Sequence, residues 1–172
     1  MIVDGAFAPD FIRALFQRAT DRLQYSFARL NRADQTAFPS LSAQLRLTDV
    51  KSDPLWSRLA KRATSAIAWK QQRKALRLVR GQVNVTMLGD VQFVHADVGV
   101  SVTAVYFANP EWHVDWLGEL LFYDEADSEV VAAVTPKPGR IVVFESSARH
   151  RAGIPSVLCR IPRVTVALKF KL

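Results

Sequence analysis

One cysteine in 172 residues excludes an internal disulfide and any Cys-x-x-Cys metal site, so Cys159 reads as a free thiol. No apolar run approaches the roughly 18 residues that a membrane span needs. Met1-Ile-Val-Asp4-Gly-Ala-Phe-Ala lacks a basic leader followed by a greasy stretch. The expectation from these absences is a cytoplasmic protein with no membrane partner. Repeats, low-complexity tracts and linkers are also missing, and the length fits one domain over 1–172. Histidine is scarce as well. With only His95, His113 and His150, few metal sites can be assembled.

What is present begins with an apolar content of 49%, enough for a substantial core. The formal charge of +7 is lopsided: Lys and Arg outnumber Asp and Glu up to residue 80 and fall slightly short of them beyond it. Arg58, Lys61 and Arg62, then Lys70, Arg73, Lys74, Arg77 and Arg80, are a candidate surface for an acidic partner such as nucleic acid. No aromatic platform accompanies them, and a solvated helical face explains them equally well.

Phe11, Leu15, Ala19, Leu23 and Phe27 recur at near-helical spacing and predict an amphipathic helix from Pro9-Asp10 to about Leu30. Alternation over Ala43–Asp49 predicts a short strand. Asp53-Pro54 then supplies a cap and a first-turn proline for a second helix, with Leu55, Leu59 and Ala66 inside, running to about Gln72. From Leu76 the pattern turns to short apolar stretches between turn residues. Strands are expected at 76–87, 91–95, 100–107, 118–123, 129–134, 139–144 and 164–170. This gives a helical support region over 1–75 and a β core, sandwich or barrel, over 76–172.

The most informative motif is His95-Ala-Asp97, with His150 further along and Arg163 opening the last strand. Two imidazoles and one carboxylate can occupy one face of a divalent iron and leave the other face open. If 91–95 is a strand, the period of two sends His95 and Asp97 to the same side. His113-Val-Asp115 has the same spacing, but it follows the turn-like Asn109-Pro110-Glu111-Trp112 and reads as a loop.

The ordered set resembles the iron- and 2-oxoglutarate-dependent dioxygenases, in particular their prolyl-4-hydroxylase-like branch. The resemblance spans about Arg80 to Leu172 and is carried by Asn84, Gly89, His95-Ala-Asp97, Thr103-Ala-Val-Tyr106-Phe107-Ala-Asn109, Trp112 and Gly118-Glu119-Leu120. It continues through Pro138-Gly139-Arg140-Ile-Val-Val-Phe144, His150 and Arg163-Val-Thr165-Val-Ala. It implies a mainly β protein: a double-stranded β-helix, or jelly roll, with the N-terminal helices packed on it. Iron(II) would be bound by His95, Asp97 and His150, with 2-oxoglutarate and dioxygen as co-substrates. The far carboxylate of 2-oxoglutarate needs a cationic fork, which an arginine supplies better than a lysine. Arg163 begins the apolar alternation and matches the family's Arg-x-Ser/Thr/Ala pattern; Arg160, beside Ile161-Pro162, is the competing position.

Asn84 resembles an asparagine that approaches the keto-acid end. Where related enzymes carry a second aromatic hydroxyl beside the arginine, this chain has Phe107, and Thr103 on the same strand face is the candidate replacement. Related halogenases lack the carboxylate, so Asp97 points to hydroxylation of a C–H bond in an amino acid, a peptidyl residue or a small metabolite. One alternative is a nucleic-acid oxidative demethylase, suggested by the basic N-terminal half, although the chain ends soon after His150. A non-enzymatic alternative is an inactive β-barrel binding module. It leaves unexplained why an arginine would face three potential ligands in an apolar interior.

Overall fold

The computed structural model describes residues 1–29, 40–71 and 76–172. In chain order they form β1 (Ile2–Val3), α1 (Pro9–Asp21), β2 (Ser26–Arg29), β3 (Ser40–Leu45), α2 (Leu47–Ser52), α3 (Pro54–Gln71), β4 (Arg77–Thr86) and β5 (Val102–Phe107). A short 3-10 turn, Val114–Trp116, leads to β6 (Leu120–Tyr123), β7 (Val130–Val134), β8 (Ile141–Glu145), β9 (His150–Ala152) and β10 (Arg163–Lys171).

Helix α1 starts as predicted, with Pro9 in its first turn and Phe11, Ile12, Leu15 and Ala19 buried. It stops at Asp21, well short of Leu30, which lies outside the described residues. Tyr25 Oη donates to the Ala19 carbonyl at 2.8 Å, satisfying one of the acceptors a helix end leaves open. The chain then pairs in β2, with Ser26 opposite Ser42. Leu23 and Phe27 keep the helical spacing, but backbone pairing overrides it and Phe27 is exposed. The strand expected over Ala43–Asp49 is displaced toward the N-terminus, because Leu47–Ser52 turns helical and buries Val50. Asp53 caps α3 as expected. Its Oδ1 accepts from Leu55 N at 2.9 Å and Trp56 N at 3.3 Å. Gln72, the expected end of that helix, lies outside the described residues.

Seven strands form one antiparallel sheet in the order β1-β8-β5-β10-β4-β3-β2, and three form a second in the order β7-β6-β9. Together they make a jelly roll. Every expected strand beyond residue 76 is present except 91–95. That segment makes one isolated bridge, His95 with His150. Side chains fasten it instead: Gln92 Nε2 donates to Ser40 Oγ at 3.0 Å, and the Phe93 carbonyl accepts from the His95 ring.

Strand β10 is buried on both faces. Val164, Val166, Leu168 and Phe170 join Leu15, Leu59 and Ile67 in the larger core, between the seven-stranded sheet and the helices. The opposite face looks into the jelly roll, where Val105, Phe107, Leu120, Val134, Val142 and Phe144 form a smaller core. Gly139 joins the two levels of structure. Its φ of 74° favours glycine, and a Cβ there would lie 2.7 Å from Ile12 Cδ1, so a side chain at this position would displace the end of Ile12 where α1 meets the turn entering β8. No helix among the described residues is long and apolar enough to cross a membrane.

Among the described residues, the larger core contains one flaw. Tyr106, edge-on to Phe7, is 1% exposed, and its hydroxyl is buried without a hydrogen-bond partner. Burial pushes its ionisation upward. An orphaned buried donor costs free energy that an apolar isostere avoids. Tyr106→Phe is therefore expected to raise the unfolding free energy by about 1 kcal/mol, measured by urea denaturation.

Candidate active site

His95 and His150 sit 55 positions apart and are joined by a reciprocal backbone exchange. His95 N donates to His150 O at 3.0 Å, and His150 N donates to His95 O at 2.9 Å. Asp97 N is held on Ser146 O at 2.8 Å. One edge, running from Ser146 to His150, thus fixes both members of the His-x-Asp motif without the strand expected there. The three side chains are buried, and one ligand atom from each lies within 4.8 Å of the others.

Each histidine is oriented from behind in the same way. His95 Nδ1 donates to the Phe93 carbonyl at 3.0 Å and His150 Nδ1 to the Ala148 carbonyl at 2.8 Å. A carbonyl can only accept, so Nδ1 carries a proton in both rings and Nε2 is the nitrogen turned to the site; it is Nε2 of His150 that stands 4.0 Å from Asp97 Oδ2. This is the outer-sphere arrangement that readies imidazoles for a metal. Burial alone would raise the Asp97 carboxyl, but the Lys169 ammonium on Oδ1 and the Thr103 hydroxyl on Oδ2, at 2.7 Å, hold it at about 2. Two imidazoles turned Nε2-first and an ionised carboxylate, converging on one point, fit a divalent iron.

The same residues line a narrow cleft of about 50 Å³ that runs between the sheets. Along its floor β10 turns Arg163, Thr165, Ala167 and Lys169 inward. Its neighbours align with them: Thr86 opposite Arg163, Asn84 opposite Thr165, and Thr103 opposite Lys169. The ligands gather toward Lys169, and Arg163 lies at the other end.

Arg163 is 2% exposed. Its Nε donates to the Gly118 carbonyl at 2.6 Å, and its guanidinium carbon lies 5.1 Å from the centroid of the Phe107 ring. Burial pulls it down to about 10, opposed by the charge of Glu119. Asn109 fixes the backbone on both sides of it: Nδ2 donates to Pro162 O at 2.9 Å, and Oδ1 accepts from Val164 N at 2.7 Å. Gly118 sits at φ 80°, which favours glycine, and a Cβ there would crowd Arg163, lying 3.0 Å from its Cδ.

The predicted residues thus meet in one cleft: His95, Asp97, His150, Arg163, Thr103 and Asn84 all line it. Thr103 does not stand where it was expected. Its hydroxyl bonds Asp97 and lies 3.0 Å from Ser146 Oγ, at the metal end and not beside the arginine. The hydroxyls aligned with Arg163 are those of Thr86, across the ladder, and Thr165, two residues along the same face. Asn84 Oδ1 accepts from Gln82 Nε2. Arg160 is exposed and outside the cleft. His113 and Asp115 form an exposed pair of their own at 3.3 Å, also outside it. Lys169, Ser146, Gly118 and Thr86 went unassigned in the sequence reading. Parity signalled two of them: Lys169 falls on the inward face of the strand that Arg163 opens, and Thr86 shares a strand face with Asn84.

The model of the 2OG-Fe(II) oxygenase superfamily matches residues 82–170. No curated protein matches the chain by sequence. Among solved structures, a prolyl-4-hydroxylase from Pseudomonas putida superposes with a TM-score of 0.71 at 17% identity, covering 100% of this chain and 92% of that one. The viral collagen prolyl hydroxylase of Paramecium bursaria Chlorella virus-1, solved with 2-oxoglutarate, gives 0.72 at 11% identity, covering 99% and 94%. HygX from Streptomyces hygroscopicus, solved with nickel and 2-oxoglutarate, gives 0.68 at 12%, covering 99% and 82%. At such identities these neighbours establish the jelly-roll fold. The family match covers more than half of the sequence, from β4 to the end of β10, and on it the chain belongs to the 2OG-Fe(II) oxygenase superfamily, whose members use iron(II), 2-oxoglutarate and dioxygen.

Proposed function

We propose that this chain, acting as one catalytic domain, hydroxylates a C–H bond of an amino acid, a peptidyl residue or another small molecule. In this reading His95, Asp97 and His150 hold iron(II), and Arg163 holds the far carboxylate of 2-oxoglutarate. The observation that carries it is the layout of the cleft, with three metal-type ligands toward one end and a buried guanidinium at the other. Bound iron supplies the activation of dioxygen, coupled to oxidative decarboxylation of 2-oxoglutarate to succinate and carbon dioxide.

The chain's own residues divide the remaining work. The Phe93 and Ala148 carbonyls keep both imidazoles turned toward the site, and Thr103 orients Asp97. Nε of Arg163 is tied to Gly118, so the outer nitrogens are left for a carboxylate fork, with Thr86 and Thr165 as flanking hydroxyls. Phe107 forms an apolar wall that strengthens this charge-assisted contact by excluding water. Asn84 and Gln92 line the cleft with amides, which suit a hydrogen-bonding substrate.

The demethylase alternative loses its main support. Arg58, Lys61 and Arg62 are exposed on α3, whose buried face packs on the far side of the seven-stranded sheet from the cleft. Arg77 and Arg80 are exposed too; the side chain of Lys70, together with Arg73 and Lys74, lies outside the described residues.

Anaerobic titration with iron(II) and 2-oxoglutarate is expected to give a weak visible charge-transfer band in the wild-type protein and none in His95→Ala. A band that survives the substitution, or is missing from the wild type, overturns the ligand assignment. Succinate release across a panel of free amino acids, peptides and methylated oligonucleotides then identifies the substrate class, with stimulation expected from the first two.

Arg163→Met separates stability from function. Among the described residues the buried cation is matched only by one carbonyl, one ring face and a distant charge, so its removal is expected to stabilise the ligand-free protein by on the order of 1 kcal/mol. The same substitution should abolish the rise in melting temperature that 2-oxoglutarate gives the metal-loaded wild type.

A further inference from the structure

Lys169 is the only lysine, and Asp97 the only carboxylate, among the buried residues described. The two are in direct contact: Lys169 Nζ sits on Asp97 Oδ1, while Oδ2 takes the Thr103 hydroxyl and faces His150. The ammonium reaches this place because β10 keeps its inward parity all the way from Arg163, through Thr165 and Ala167, to Lys169. An alternating apolar strand needs no lysine at that position for folding. Burying one costs free energy unless a counter-charge receives it.

We infer that Lys169 sets the charge of the metal site: it holds Asp97 in the ion's stead when no ion is bound, opposes the ion when it enters, and favours the co-substrate dianion that follows. The inference rests on the reading of Asp97 as a metal ligand and of 2-oxoglutarate as the dianion. Formal charges show why. With both imidazoles neutral, as ligation of a metal requires, Asp97 and Lys169 cancel, leaving the cleft with the single positive charge of Arg163. A divalent ion raises that to three, because one carboxylate cannot neutralise both the ion and the ammonium. The dianion brings it back to one. With a neutral side chain at 169 the same sequence runs from zero to two and back to zero. Lys169 therefore penalises the ion alone and rewards the anion, through charge–charge interactions that are strong at partly desolvated sites.

The two effects of one substitution have opposite signs, which a packing defect does not reproduce. In calorimetric titrations of the metal-free protein, Lys169→Met is expected to bind manganese(II) at least about tenfold more tightly than the wild type. The manganese-loaded variant should bind 2-oxoglutarate several-fold more weakly. Lys169→Arg keeps the charge and should stay near the wild type in both. Thermal melts of the metal-free proteins show that each variant is folded, with Lys169→Met lower because Asp97 is left buried without its cation. Manganese binding that is unchanged or weaker in Lys169→Met overturns the inference. If 2-oxoglutarate fails to bind even the wild type, the co-substrate reading falls, while the manganese arm still decides the role of Lys169.

Discussion

The register of β10 against β4 and β5 is the constraint on which the rest of this molecule depends. Strand side chains alternate, so a slip of one residue would exchange the two faces completely. Val164, Val166, Leu168 and Phe170 would then leave the helices, and Arg163 and Lys169 would enter the largest apolar core. Burying two unmatched cations there costs far more than any other pairing could recover. Apolar packing on one face therefore enforces the chemistry on the other. Asn109 locks the start of this register by gripping the backbone at Pro162 and Val164.

A second constraint brings the distant ligands together. The backbone exchange between His95 and His150 needs only a few residues of extended chain, so the segment before His95 can forgo a ladder. That is why the expected 91–95 strand is missing while its consequence, His95 and Asp97 facing the same way, is present. The alternation argument placed the side chains on the correct side for an incomplete reason: the amides of His95 and Asp97 are both bonded to the 146–150 edge, and this pairing supplies the period of two locally.

How far the sequence was legible follows from what each signal depends on. The strands after residue 76 were readable because apolar alternation and turn residues are local, and the triad because three histidines allow few arrangements. The end of α1 was not. Leu23 and Phe27 preserve the helical period, and the deciding contacts, Tyr25 with Ala19 and Ser26 with Ser42, belong to the folded state. Thr103 was correctly placed in the cleft by parity and then given the wrong neighbour, because parity says which face a residue occupies but not how far along the strand its partner lies. Asp97 claimed its hydroxyl; the position beside Arg163 falls to Thr86 across the ladder.

Lys169 shows the same limit from the other side. Its parity with Arg163 is visible in the sequence, yet a lysine two residues from the end of an alternating strand ordinarily reaches water with its ammonium. It is buried here because β4 and β5 flank β10 on both sides at that level, and because Asp97 arrives from a loop to receive the charge. The fold thus carries two cations in one cleft, Arg163 held by a carbonyl and an aromatic face and Lys169 held by a carboxylate that a metal would also claim. Neither arrangement is one that stability alone would select. On the proposed reading each cation faces an anion once a divalent ion and a dianion arrive together, so the apolar shell that fixes β10 also holds in place the two charges that those ligands would meet.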